Sequence, residues 1–139
     1  IFSTHPRTRK KINKDKFNSQ IRFINPVSFS EYINLQINSK LVLSDSGTIN
    51  EESSILNFPA INFRETHERP EAFEEGSVIF SGLSLERLLQ SIKLIESQKR
   101  GEQRDLKIVK DYDVNNVSEK IIRIILSYTD YINRYVWNK

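Results

Sequence analysis

Apolar positions along this chain fall into two alternating patterns: short runs of strand length, and longer stretches with apolar residues at helical spacing. The run Leu41-Val42-Leu43 reads as a buried strand. It feeds the small-residue turn Ser44-Asp45-Ser46-Gly47-Thr48, which opens a helical pattern from about Thr48 to Leu56. Ile1-Phe2-Ser3 reads as the end of a strand, Ile21 to Ile24 as a second, Ala60 to Phe63 as a fourth and Ser77 to Phe80 as a fifth. Between them, Thr4 caps a helix starting near Pro6. Ser28 caps one through Asn38, with Phe29, Tyr32, Ile33 and Ile37 as its apolar stripe. Pro70 opens a short helix that Gly76 ends. Ser84 caps another through Ser97, with Leu85, Leu88, Leu89, Ile92 and Ile95 inward. Gln98 to Asp113 is charged and irregular, and reads as a mobile loop. A last helix starts at Asn116, with Glu119 in a capping-box position and Val117, Ile121, Ile124, Ile125, Tyr128, Ile132, Tyr135 and Val136 on one side.

Strands that alternate with helices, through connections too long for hairpins, predict an α/β fold: a parallel sheet with helices on both faces. Ligands bind outside the carboxyl ends of such strands. Those ends carry Ser3-Thr4-His5-Pro6, Asn25 to Phe29, Ser44 to Thr48, and Arg64 to Arg69. The strand–turn–helix junction at Ser46-Gly47-Thr48 is a ready anion site, because the first N–H groups of a helix lack partners within it and its dipole favours negative charge. Hydroxyls, a histidine and two arginines on one edge suit a phosphorylated ligand that carries hydroxyls.

Composition narrows the classes. The 139 residues fit about one domain. Hydrophobic residues make up 37% and charged residues 28%, as in a soluble protein, and no run approaches the roughly 20 apolar residues of a membrane span. No membrane partner is expected. Cysteine is absent, which suits the cytoplasm and removes thiolate chemistry. With two histidines, a His-rich metal site is not expected. The net charge of +3 does not call for nucleic acid. Arg7, Arg9, Lys10, Lys11, Lys14 and Lys16 cluster without interleaved aromatics, and read as a solvated helix face. The chain opens at Ile1 without methionine and inside a strand pattern, and so reads as part of a longer protein.

The residues Ser44-Asp45-Ser46-Gly47-Thr48-Ile49-Asn50-Glu51-Glu52, then Phe58-Pro59, then His67-Glu68-Arg69-Pro70-Glu71 and Gly76, resemble the non-hydrolysing UDP-N-acetylglucosamine 2-epimerases. Ser3-Thr4-His5-Pro6 is similar to that family's Val-His-x-x-Pro region. Leu126 to Tyr131 resembles the branch that makes UDP-N-acetyl-L-fucosamine. The resemblance implies two Rossmann-like domains in the GT-B arrangement, with this chain as most of the second. Residues 1–115 would be the UDP-binding domain, incomplete at its start, and 116–139 a helix that packs back on the missing first domain.

The implied reaction inverts C2 of a UDP-N-acetyl-hexosamine, by elimination of UDP to a glycal and re-addition. The catalytic carboxylates would lie in the missing domain, none of them here, and no cofactor or metal is implied; a homodimer is. By the same resemblance Ser46, Gly47 and the Thr48 N–H receive the diphosphate, and Glu52 accepts from the ribose hydroxyls. Arg69 neutralises phosphate charge, Tyr32 lies near the uracil, and His5 faces the interdomain cleft, where a second, regulatory UDP-N-acetylglucosamine can bind. Three features depart from the family: Thr48 stands for a second glycine, His67 for a threonine, and the His-Arg-Arg motif at the start of the second domain is absent.

Other readings stay open on the residues alone. Thr48 with Glu51 forms a capping-box pattern; Arg69 has Glu65 and Glu68 as surface partners; Tyr32 shares a core stripe. A GT-B glycosyltransferase using a UDP-sugar would present the same phosphate site, and so would a nucleotide-binding module without catalysis.

Overall fold

The computed structural model describes residues 1–13, 16–66 and 69–139. Its elements are β1 (Phe2–Ser3), α1 (Pro6–Arg9), β2 (Phe23–Ile24), α2 (Phe29–Ile37), β3 (Val42–Ser44), α3 (Ile49–Leu56), β4 (Ala60–Asn62), α4 (Pro70–Glu74), β5 (Ile79–Phe80), α5 (Leu85–Ile95) and α6 (Val117–Tyr135). All pairing is parallel, as the α/β alternation predicts. The strands form two sheets, β1-β2 and β3-β4-β5. Phe2 sits opposite Phe23 in the first; Val42, Leu43 and Ser44 sit opposite Ala60, Ile61 and Asn62 in the second, and Ile61 opposite Ile79. The free edges of β1 and β3 both line one cavity of about 660 Å³, together with Tyr32, Leu35, Gln36, Ile92 and Ile95. The two sheets thus flank a gap.

The core lies over the three-stranded sheet. Ile49, at the start of α3, is 0% exposed and packs with Phe58, Ala60 and Val78, backed by Val42, Leu56 and Phe73. Asn57 ends α3 in the left-handed conformation (φ 54°), which an asparagine tolerates at low cost, and the chain turns at once into β4. This short α3–β4 connection sets α3 against the central strand, and so fixes where its amino end points.

Several local expectations are corrected. Thr4 does not cap α1: it is buried, and its hydroxyl donates to the Ile24 carbonyl, tying β1 to β2. His5 is the cap instead, its Nδ1 accepting from the Arg7 N–H at 3.2 Å. Because α1 ends at Arg9, the exposed Lys10, Lys11 and Lys16 lie beyond it instead of forming one helix face; Lys14 falls outside the described residues. Ser28 and Glu31 form a full capping box on α2. The predicted stripe of that helix is only half-buried, with Phe29 75% exposed, while the buried residue is Gln36. On α5, Ile95 and Ser91 are buried, but Leu85 and Leu89 are exposed.

The segment 98–113 is irregular yet anchored. Arg100 donates to the Ser39 and Lys40 carbonyls, and Arg104 to those of Ser54 and Ile55. The Asn57 amide donates to the carbonyls of Gly101 and Gln103, and Val109 is buried with its N–H on Ser54 Oγ. A stretch rich in charge reads as mobile, but two of its guanidiniums tie it to carbonyls elsewhere in the fold, and the Asn57 amide satisfies two of its own carbonyls. At α6, Asn116 makes no side-chain cap bond, and Glu119 pairs with Arg123 instead of closing a capping box. No residue of α6 is buried. Among the described residues, no helix is long and apolar enough to cross a membrane, and no group of three or more histidines and carboxylates is placed to hold a metal ion.

Candidate functional site

The site is built where β3 gives way to α3. Three hydroxyls fold the turn between them: the Ser46 N–H donates to Ser44 Oγ at 3.1 Å, the Thr48 N–H to Ser46 Oγ at 3.3 Å, and Ser46 Oγ lies 3.0 Å from Thr48 Oγ1. From below, the Asn62 amide donates to the Ser46 carbonyl at 3.2 Å. Asn62 ends the central strand β4 and is 0% exposed; its Oδ1, like that of the buried Asn50 in α3, has no hydrogen-bond partner among the described residues. Sequence reading missed both asparagines. The signal was a polar residue closing an otherwise apolar central strand, Ala60-Ile61-Asn62.

Arg69 reaches this turn from the start of α4. A Cβ built on Gly47 would come within 2.2 Å of Arg69 Nη1, so the guanidinium lies directly across the glycine. Its Nε pairs with Glu51 Oε1 at 2.6 Å. The capping-box reading of Thr48 and Glu51 is therefore not realised. Thr48 makes no side-chain cap bond, and the Glu51 carboxylate goes to Arg69, since an ionic hydrogen bond is stronger than one to a neutral N–H. Among the described residues, the acid that pairs with Arg69 is Glu51, from a neighbouring helix, and not Glu65 from its own loop. His67 and Glu68 lie outside the described residues.

Glu52, next on α3, accepts from Gln36 Nε2 at 2.6 Å. Tyr32 stands one turn earlier on α2, half-buried. Burial first, and then the charge of Glu52, push its phenol above the ordinary range. Ser46, Gly47, Thr48, Glu52, Arg69 and Tyr32 therefore converge on one end of the three-stranded sheet. His5 does not join them through any hydrogen bond or ion pair among the described residues; it stands exposed at the end of β1, in the other sheet.

One further residue enters from the anchored segment. Tyr112 donates its hydroxyl to Glu71 Oε1 at 2.8 Å, behind Arg69. Its phenol is raised well above the usual value near 10, first by burial and then by Glu71. A raised acid favours the folded state fully below about pH 10 and loses that contribution as pH climbs above it. Stability should therefore fall with pH in the alkaline range, and Tyr112→Phe should flatten that fall, at a cost near neutrality of roughly 0.5–1.5 kcal/mol for the lost bond. Urea melts between pH 7 and 11 read both effects; parallel pH profiles for the two proteins would remove Tyr112 as their cause.

The family model described as UDP-N-acetylglucosamine 2-epimerase matches residues 1–126. The UDP-N-acetylglucosamine 2-epimerase of Methanocaldococcus jannaschii is 36% identical over 94% of this chain and 36% of its own length; that of Campylobacter jejuni is 36% identical over 91% of this chain and 34% of its own. Among solved structures, the UDP-N-acetylglucosamine 2-epimerase from Rickettsia bellii superposes with a TM-score of 0.85 at 50% identity, covering 99% of this chain and 38% of that one. The M. jannaschii enzyme in complex with UDP-GlcNAc and UDP superposes at 0.75 and 34% identity, over 91% and 35%. These neighbours have the GT-B fold, and the chain spans little more than a third of their length. By family model, by sequence and by structure alike, this chain belongs to the UDP-N-acetylglucosamine 2-epimerase family.

Proposed function

We propose that this chain is the UDP-holding part of an enzyme that inverts C2 of a UDP-N-acetyl-hexosamine, UDP-N-acetylglucosamine or a related deoxy or L-sugar. The observation that carries this reading is the strand–turn–helix junction at Ser46-Gly47-Thr48, with Arg69 lying across its glycine. The amino end of α3 presents partial positive charge, and Arg69 adds a full one. The hydroxyl bonds that close the turn are long and exposed, so phosphate oxygens replace them at little cost. Glu52, six residues past Ser46, suits the ribose hydroxyls, and Tyr32 beyond it suits the uracil.

The chemistry follows from holding UDP while it is detached. Loss of the C2 proton with cleavage of the bond from C1 to the diphosphate oxygen gives a glycal and free UDP. Re-addition of UDP to C1, with protonation of C2 on the opposite face, gives the epimer. A departing diphosphate gains negative charge, and Arg69 with the α3 N–H groups stabilises it where it forms. The carboxylates that move the C2 proton belong to the other domain, across the cleft.

The topology supports a domain that is completed from outside these residues. Reading across the gap, the order is β2-β1, then β3-β4-β5. A doubly wound nucleotide-binding sheet runs 3-2-1-4-5-6, and the gap falls where its first strand belongs. We read 1–115 as that domain, 116–139 as the helix that returns to the other one, His5 as facing the cleft between them, and the whole as a cytoplasmic homodimer.

Two results test this reading. The longer protein, given a UDP-N-acetyl-hexosamine and no acceptor, should form the C2 epimer; turnover only with an acceptor would make it a glycosyltransferase. Glu52→Ala should weaken UDP by roughly 1–3 kcal/mol, the loss of a charge-assisted hydrogen bond, and should also cost about 1–3 kcal/mol of stability, because it orphans the buried Gln36 Nε2. Calorimetric titration and a urea melt separate the two. Large destabilisation with unchanged UDP affinity would make Glu52 a structural acid.

A further inference from the structure

Helices α2 and α3 are joined by one side-chain bond whose partners differ in burial. Gln36 is the one buried residue of α2, 3% exposed. Its Nε2 donates to Glu52 Oε2 at 2.6 Å, while its own Oε1 is buried without a hydrogen-bond partner among the described residues. For packing alone this is a poor choice. An apolar side chain of the same length would fill the space and leave no orphaned acceptor. What the amide does supply is a fixed donor aimed at one oxygen of a carboxylate that is only half-buried.

A carboxylate at the start of a helix, free to rotate, would spread over several rotamers and lose entropy on binding a ligand. A donor held in the core selects one rotamer in advance and leaves the second oxygen to accept from elsewhere. Tyr32 lies four residues earlier on the same helix and so on the same face, where the Glu52 charge reaches it.

We propose that Gln36 is a positioning residue for the nucleoside end of the ligand, holding Glu52 in the rotamer that accepts from the ribose hydroxyls. The inference rests on the reading of Glu52 as the ribose acceptor. The test compares UDP with 2′,3′-dideoxy-UDP, which lacks both hydroxyls, by titration on the 139-residue chain. Gln36→Met keeps length and apolar fit but removes the donor. It should weaken UDP about 3–10-fold and change dideoxy-UDP by less than about twofold, with the thermal midpoint held or raised. Gln36→Asn, which keeps the amide but withdraws it by one methylene, should show the same selective loss. Glu52→Ala should abolish the preference for UDP over dideoxy-UDP, and adding Gln36→Met to it should cost nothing more. Equal weakening of both nucleotides by Gln36→Met would make Gln36 a packing residue and overturn the proposal. A preference lost in Glu52→Ala but intact in both Gln36 variants would overturn it while leaving the Glu52 assignment standing. A preference intact in Glu52→Ala would bring down the ribose reading, and this inference with it.

Discussion

Given UDP-N-acetylglucosamine, the 139-residue chain alone should form no C2 epimer. The proposed reaction needs groups on both sides of the sugar, and this chain spans little more than a third of its relatives. Its proposed site holds the leaving group: hydroxyls, an arginine and a ribose acceptor. General acid–base catalysis is worth on the order of 10²–10⁴-fold for each positioned group. Without the carboxylates proposed for a second domain, and the proposed cleft that orients the substrate against them, turnover should fall below detection. In the isolated chain α6 is a liability. Ile121, Ile124, Ile125, Tyr128 and Tyr135 are all more than half exposed or nearly so, along one helix. Covering a side chain of this size is worth about 1.5–3 kcal/mol, so even a few of them favour association. Sedimentation of the isolated chain should show concentration-dependent self-association, and an epimerisation assay should be blank. Robust turnover would overturn the assignment of catalysis to another domain. A well-behaved monomer would overturn only the claim for α6.

The second large effect is expected at a residue with no side chain. Gly47→Ala should weaken UDP by roughly 10- to 100-fold while changing fold stability little. The added methyl group runs into Arg69 Nη1, the far end of a flexible side chain in a half-exposed place, so the guanidinium swings away instead of the backbone shifting. What is lost is the cation over the diphosphate, and hydrogen bonds to charged groups contribute about 1.5–3 kcal/mol. Arg69→Ala should show a similar loss. The combination separates this account from a simple effect on the turn: with Arg69 gone, the methyl group has nothing to displace, so Gly47→Ala should add little to Arg69→Ala. Full additivity in a titration of all four proteins would mean that the two residues act independently and that the guanidinium does not matter at the glycine.

Much of this was legible in the sequence, and the misses share a cause. The β3–turn–α3 junction was readable because Leu41-Val42-Leu43 followed by Ser-Gly-Thr changes period and residue size at once, and that signal is local. Ser28 and Ser84 were readable as caps for the same reason; both accept from backbone N–H groups in the structure. Partners distant in the chain were not readable. Glu51 seemed to belong with Thr48, three residues away, and instead meets Arg69, which the fold brings across from α4. Residues 98–113 seemed mobile because their anchors, at Ser39, Ser54 and Asn57, are some 50 residues off. Helical spacing marks which positions on α5 and α6 are apolar, but not whether anything covers them. Leu85, at 68% exposure, shows that a stripe states a need for burial and not its fulfilment. The resemblance supplied what no local pattern could, proposed roles for Glu52 and Arg69, and the fold carries both residues to the end of the sheet where Ser46 to Thr48 lie.

The most direct test of the account is a structure of this chain, or of the longer protein that contains it, with UDP bound. The diphosphate should lie at the amino end of α3, its oxygens about 2.7–3.2 Å from the N–H groups of Ser46, Gly47 and Thr48, under the Arg69 guanidinium, with the ribose hydroxyls on Glu52. A diphosphate elsewhere, in the gap between β1 and β3 or at the His5 end of β1, would contradict it.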